Sequence, residues 1–124
     1  MARDRIAIKR VYLPPHGDDG KRVLVDRLWP RGVSKHGAAV DVWLKDIAPS
    51  ARLRKWFGHD PARWDEFRRR YRAELTDNDE AVAQLRELIK AGHVTLLYGA
   101  HDEDHNQARV LLELMKGKSH AAAG

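Results

Sequence analysis

Short, densely apolar runs alternate along the chain with longer stretches whose apolar residues recur every three or four positions, so strands and helices are interleaved. Residues 6–13 and 22–28 read as strands. Val23, Leu24 and Val25 form the nearly continuous apolar start expected of a strand buried on both faces. Between these runs lies Pro14-Pro15-His16-Gly17-Asp18-Asp19-Gly20, dense with turn formers. That loop is short for a parallel crossover, which leaves an antiparallel pairing and the direction of the first strand open.

A helical spacing of Val40, Trp43, Leu44 and Ile47 follows, stopped by Pro49. Ser50 is placed to cap a short helix with Leu53, Trp56 and Phe57 inward and Gly58 just past its end. Asp60-Pro61 pairs a cap residue with proline at the first helical position. Trp64, Phe67, Tyr71 and Leu75 then step along one face, while Arg63, Arg68, Arg69, Arg70 and Arg72 occupy the other. A further helix starts near Asp77, buries Val82, Leu85, Leu88 and Ile89, and ends at Gly92. Residues 93–100 form another buried strand, after which Asp102-Glu103-Asp104 caps a last helix carrying Ala108, Leu111, Leu112 and Met115 and closed by Gly117. The expected fold is a single compact α/β domain, with a small, mostly parallel or mixed sheet covered by about five helices. It spans residues 1–116, followed by a disordered tail over 117–124.

Composition narrows the classes. The 124 residues suit one domain with its own core, and 43% hydrophobic against 33% charged residues describes a globular chain. No apolar stretch approaches the roughly 18 residues of a membrane span, and the charged start MARDRIAIKR is no signal peptide. A cytoplasmic location and no membrane partner are therefore expected. Zero cysteines remove disulfides, thiolate metal sites and thiol catalysis together. The net charge of +5 is unevenly spread: residues 1–35 and 51–72 each carry +5, and residues 76–106 carry −5. A uniformly basic nucleic-acid binder does not have this layout.

Two segments carry more polarity than packing needs. In VDRLWPRG, residues 25–32, an apolar strand ends abruptly in Asp26-Arg27, followed by Trp29-Pro30-Arg31-Gly32. Charged residues at that end of a buried strand face the crevice where open α/β sheets bind ligands. Arg27 and Arg31 offer planar forks for phosphate or carboxylate, and Trp29 a flat wall. The competing reading makes Asp26 a structural partner of one arginine and Trp29 core filler. In YGAHDEDHNQA, residues 98–108, a second strand ends in polar residues feeding a helix. Here His101 and His105 share a face if the helix begins early, and Asp102 either caps that helix or orients a histidine. Tyr98 and Asn106 join the candidate ligand-binding residues. The H-x-x-x-H spacing lacks the glutamate of the zincin motif, and no P-loop, dinucleotide fingerprint or nucleophile elbow is present, so no metal or cofactor is expected. His59 reads as a shaper of its loop, and His16, His36 and His120 receive no role.

The blocks VDRLWPRG, DVWLKDIAPS, LRKWFGHDPARWDEFRRRY and VTLLYGAHDEDHNQA, in this order, closely resemble the YeaO-like branch of domain-of-unknown-function family 488, across residues 8–115. The resemblance implies a layered α/β domain and brings no established activity. It also implies a strand end of Asp-Val-Arg type, matched at Val25-Asp26-Arg27, and a later strand ending in a cysteine region followed by a His-Arg pair. Here Tyr98-Gly99-Ala100 stands in the cysteine region and His105-Asn106 near the pair, which puts thiol chemistry out of reach.

The leading expectation is a small enzyme or ligand-binding domain with a pocket where the strands ending at Asp26 and Tyr98 meet. Arg27 and Arg31 hold a small anion such as a phosphate or nucleotide, His101 or His105 titrates, and Asp102 or Asp26 fixes its tautomer. The alternative is a nucleic-acid-associated accessory protein using the basic face of residues 68–72.

Overall fold

The computed structural model describes residues 6–123, with side chains from 6 to 116. Four strands, β1 (Ile6–Arg10), β2 (Lys21–Leu24), β3 (Val42–Trp43) and β4 (Val94–Tyr98), form one sheet in the order β1-β4-β2-β3. Every pairing is parallel, with Ile8 opposite Leu96 and Val23 opposite both Leu96 and Val42. Strands β1 and β2 flank β4 and never pair with each other, so the short loop between them is no hairpin and the antiparallel alternative falls away.

Five helices complete the domain: α1 (Lys35–Ala38), α2 (Ala51–Phe57), α3 (Trp64–Thr76), α4 (Asp79–Ala91) and α5 (Gln107–Ala123). The main core lies on one face of the sheet, where Val23, Val25, Val94, Leu96 and Tyr98 meet Phe57, Phe67, Tyr71, Leu85 and Leu111. On the other face a smaller cluster of Val11, Leu24, Ala38 and Leu97 is covered in part by Trp29, Val33 and Val40. Beside it runs a buried ion-pair network. Asp19 binds Lys9 at 2.9 Å and the guanidinium of Arg22, and the backbone carbonyl of Asp19 accepts from Thr95 Oγ1 at 2.7 Å. Burial pushes the Asp19 carboxyl up, but hydrogen bonds from Lys9, the His16 backbone and Arg22 outweigh it and bring the pKa down to about 2. His16, given no role above, caps the turn Gly17–Asp19 with Nδ1 accepting from Asp18 N.

Several expected elements are corrected. The helix through Val40, Trp43, Leu44 and Ile47 is instead β3 followed by a 3-10 turn, Lys45–Ile47. The exposed edge of β2 captures this segment: Asp41 N donates to Arg22 O, Arg22 N to the Asp41 carboxylate, and Leu44 N to Leu24 O. The first two strands end at Arg10 and Leu24, short of Leu13 and Leu28, both of which are exposed. Helix α4 starts at Asp79, and buries Ala81 and Leu85 while Val82, Leu88 and Ile89 are only partly covered. Trp56 is likewise only partly buried, with Arg63 and Arg70 lying over its ring. Helix α5 continues past Gly117 to Ala123; the expected disordered tail concerns side chains outside those described.

Local signals at α2 and α3 act as expected. Ser50 Oγ accepts from Leu53 N, and Gly58 closes α2 in the left-handed region at φ 54°. Asp60 caps the turn Pro61–Arg63 that leads into α3. Tyr71 OH donates to Ile47 O at 2.6 Å, fixing α3 against the segment that precedes α2. Burial pushes that hydroxyl well above its ordinary pKa. Among the described residues no helix is long and apolar enough to cross a membrane.

Candidate functional site

Because β2 and β4 are parallel neighbours, the loops leaving their carboxyl ends emerge side by side. The two ends are tied together: Gly99 N donates to Asp26 Oδ2 at 2.9 Å, and Gln107 Nε2 donates to Oδ1. Burial pushes the Asp26 carboxyl up to about 6; the Gly99 and Gln107 hydrogen bonds, then the charges of Arg54 and His59, only partly offset it. Over this junction opens a cavity of about 590 Å³, walled by both loops, by α2 and the turn after it, and by Phe67 of α3.

The candidate residues Asp26, Arg27, Trp29, Arg31, His101, Asp102, His105 and Asn106 all line this cavity. Tyr98 does not: it is 2% exposed and belongs to the main core. Burial, with the Glu103 charge second, raises its hydroxyl pKa. Side-chain alternation accounts for the difference, since Val94, Leu96 and Tyr98 share the core face of β4.

Each candidate has a definite local role. Arg27 lies along the 48–49 backbone, with Nε donating to Pro49 O and Nη2 to Ala48 O, both at 3.2 Å. Arg31 is exposed at the rim and makes no ion pair with any described residue. Trp29 combines both readings given to it: Nε1 donates to Val33 O at 2.7 Å and the ring packs edge-on to Trp43, yet its side chain still forms cavity wall. His105 Nδ1 lies 2.8 Å from Asp102 Oδ2, and its ring stands edge-on to Trp64. The His105 hydrogen bond, then that of Asp104 N, holds Asp102 below its ordinary pKa. The expected cap at Asp102-Asp104 is corrected: the Asp102 carboxylate organises a turn by accepting from Asp104 N and His105 N. Helix α5 starts only at Gln107 and is capped by buried Asn106, whose Oδ1 accepts from Arg109 N. His101 and His105 therefore precede the helix and share no helical face.

The cavity and its floor also involve Arg54, His59 and Gln107, of which the sequence singles out His59 alone, as a shaper of its loop. Gln107 reaches Asp26 across 81 positions, and no local pattern signals that contact. Arg54 sits in α2 beside the inward Leu53 and Phe57, where periodicity marks it as surface. His59 has a detectable signal, the two-residue Gly58-His59 turn before Asp60-Pro61, which favours a loop-shaping role over a functional one. Among the described residues no group of three His, Cys, Asp or Glu is placed to hold a metal ion.

The fold and cleft define a class: a small parallel α/β domain with a cavity of apolar walls and several arginines at the carboxyl ends of its central strands. Residues 5–123 match the family model described as the inactive DUF488-N3 subclade, and the chain belongs to that family, as a YeaO-like member. The uncharacterised protein Rv3073c of Mycobacterium tuberculosis (strain H37Rv) is 44% identical over 119 residues, 95% of this chain and all of the relative. The uncharacterised protein YeaO of Escherichia coli K12 is 42% identical over 111 residues, 90% of this chain and 96% of the relative. No solved structure matches.

Proposed function

We propose that this protein is a binding domain for a small anionic molecule, held in the cavity over the Asp26–Gly99 junction. The observation that carries the reading is the wall itself. Three arginines, Arg27, Arg31 and Arg54, line one half-open cavity, and neither Arg31 nor Arg54 is ion-paired to a carboxylate among the described residues. Unpaired guanidinium groups beside low-dielectric walls favour an anion. Of the wall carboxylates, Asp102 is engaged by His105, and Asp26 is held by Gly99 and Gln107. The cavity volume falls within the range typical of small-molecule sites.

Binding, as opposed to turnover, fits the rest. The family description reads inactive, and the chain has no cysteine. The Asp102–His105 pair then serves as a fixed polar wall, with His101 at the rim. The arginine face of α3 gives less support to nucleic-acid binding, because Arg69 and Arg70 pair with Glu66, and Arg68 and Arg72 with Glu113. Titrating ¹⁵N-labelled protein with sodium phosphate tests the reading. Chemical-shift changes should centre on Gly99, Gln107 and the Trp29 indole. Changes centred on residues 68–72 of α3 would sink it.

A further inference from the structure

We infer that the anion is anchored by Arg54 and His59, and that the ligand is a phosphate monoester whose ester group is a flat ring. The inference rests on the anion-pocket reading and deepens it by naming subsites.

His59 supplies the first argument. Its φ of 58° lies in the left-handed region, directly after Gly58 at 54°, and Ala39 is the only other described non-glycine residue there. Glycine is the ordinary occupant of such a position, because a side chain there is strained. If the turn needed only its shape, glycine would serve better. The histidine instead projects an exposed ring at the cavity wall, 6.4 Å from the ring of Phe57. Arg54, five residues earlier, lines the same cavity. Two of the carbonyls at this helix end are already engaged, Arg54 O by Gly58 N and Phe57 O by Asp60 N.

The second argument is the wall between the cations. Phe57 and Phe67 stack at 4.3 Å and, though nearly buried, border the cavity, as do the buried Pro30 and Pro49. Leu28, at the rim, is 62% exposed, an apolar side chain that a ligand's body would cover. The ester group of the ligand would lie against this apolar lining, with Leu28 over it. Several separate donors around one opening (Arg54, His59, Arg31 and His101) suit a tetrahedral dianion better than a planar carboxylate.

Isothermal titration calorimetry with phenyl phosphate, inorganic phosphate and benzoate tests this. Phenyl phosphate should bind at least about tenfold more tightly than either comparator. Arg54→Gln and His59→Gly should each weaken phenyl phosphate binding by about tenfold or more. The melting temperature of His59→Gly should equal or exceed that of the parent, because glycine relieves the left-handed strain. Equal affinity for inorganic phosphate and phenyl phosphate would overturn the flat-ring subsite. Benzoate binding as tightly would overturn the phosphate assignment. Full affinity in both variants, with loss in Arg31→Gln, would move the anchor to the rim and leave the anion pocket standing. Absence of any anion binding would overturn both readings.

Discussion

At the scale of single residues, the site depends on a close approach that only glycine allows. A Cβ at position 99 would lie 2.8 Å from Asp26 Oδ2 and 3.3 Å from Pro30 Cβ. Neither neighbour yields easily: Pro30 is buried, and the Asp26 carboxylate is held at both oxygens, by Gly99 N and by Gln107. Gly99→Ala should therefore cost about 1–3 kcal/mol in urea denaturation, as overpacking does. It should also shift the amide resonance of Gln107, since Asp26 must move away from it. An unchanged stability would mean that the carboxylate swings freely and that the two strand ends are not locked. The candidate polar residues at both strand ends were legible because charge is costly on an apolar strand and collects at its end. Arg54 and Gln107 were not, since their places beside the cavity and at Asp26 depend on segments distant in sequence.

At the scale of elements, legibility followed the strength of local chemistry. Helices with caps were readable: Ser50, Gly58 and Asp60 stand where their residue types predict. The segment around Val42 was not, because its apolar spacing satisfies a helix and its strand state depends on pairing with β2. The short helix α2, which carries Arg54, is anchored across space as well as capped. Ser50 N and Oγ donate to the two carboxylate oxygens of Glu74 on α3, at 2.9 and 2.6 Å, while Oγ accepts from Leu53 N. Ser50→Ala removes the cap and orphans one carboxylate oxygen, so a loss of about 1–2 kcal/mol is expected. In a double-mutant cycle with Glu74→Ala, the coupling energy should reach about 0.5 kcal/mol or more. Strictly additive losses would show that the cap acts within α2 alone and that Glu74 does not position it.

For the whole molecule, the order β1-β4-β2-β3 was out of reach of local patterning, since several apolar strands of similar length can be arranged in many ways. Once β4 inserts between β1 and β2, however, the two polar strand ends become neighbours and Asp26 becomes a largely buried carboxyl. That burial should be visible in the stability of the entire fold. The Asp26 pKa rises from 3.8 to about 6 on folding, so the folded state holds more protons than the unfolded state across that window. Its contribution to stability therefore falls as pH rises through the window, and is constant above it. Asp19 works in the opposite sense: its pKa drops from 3.8 to about 2, so its contribution is present above about pH 4 and is lost as pH falls toward 2. Together they predict a stability that climbs from pH 2 to about 4 and then declines toward pH 6–7. The decline should be about 1–2 kcal/mol, less than the full shift implies because the Asp26 side chain keeps partial solvent contact. Asp26→Asn should abolish the decline. The new amide can still accept from Gly99 N and can donate to a reoriented Gln107, so the junction survives without the buried charge. Urea denaturation of parent and variant from pH 3 to 8 measures this directly. If both proteins fall in parallel between pH 4 and 6, some other group sets the slope, and Asp26 does not carry its proton into the folded state.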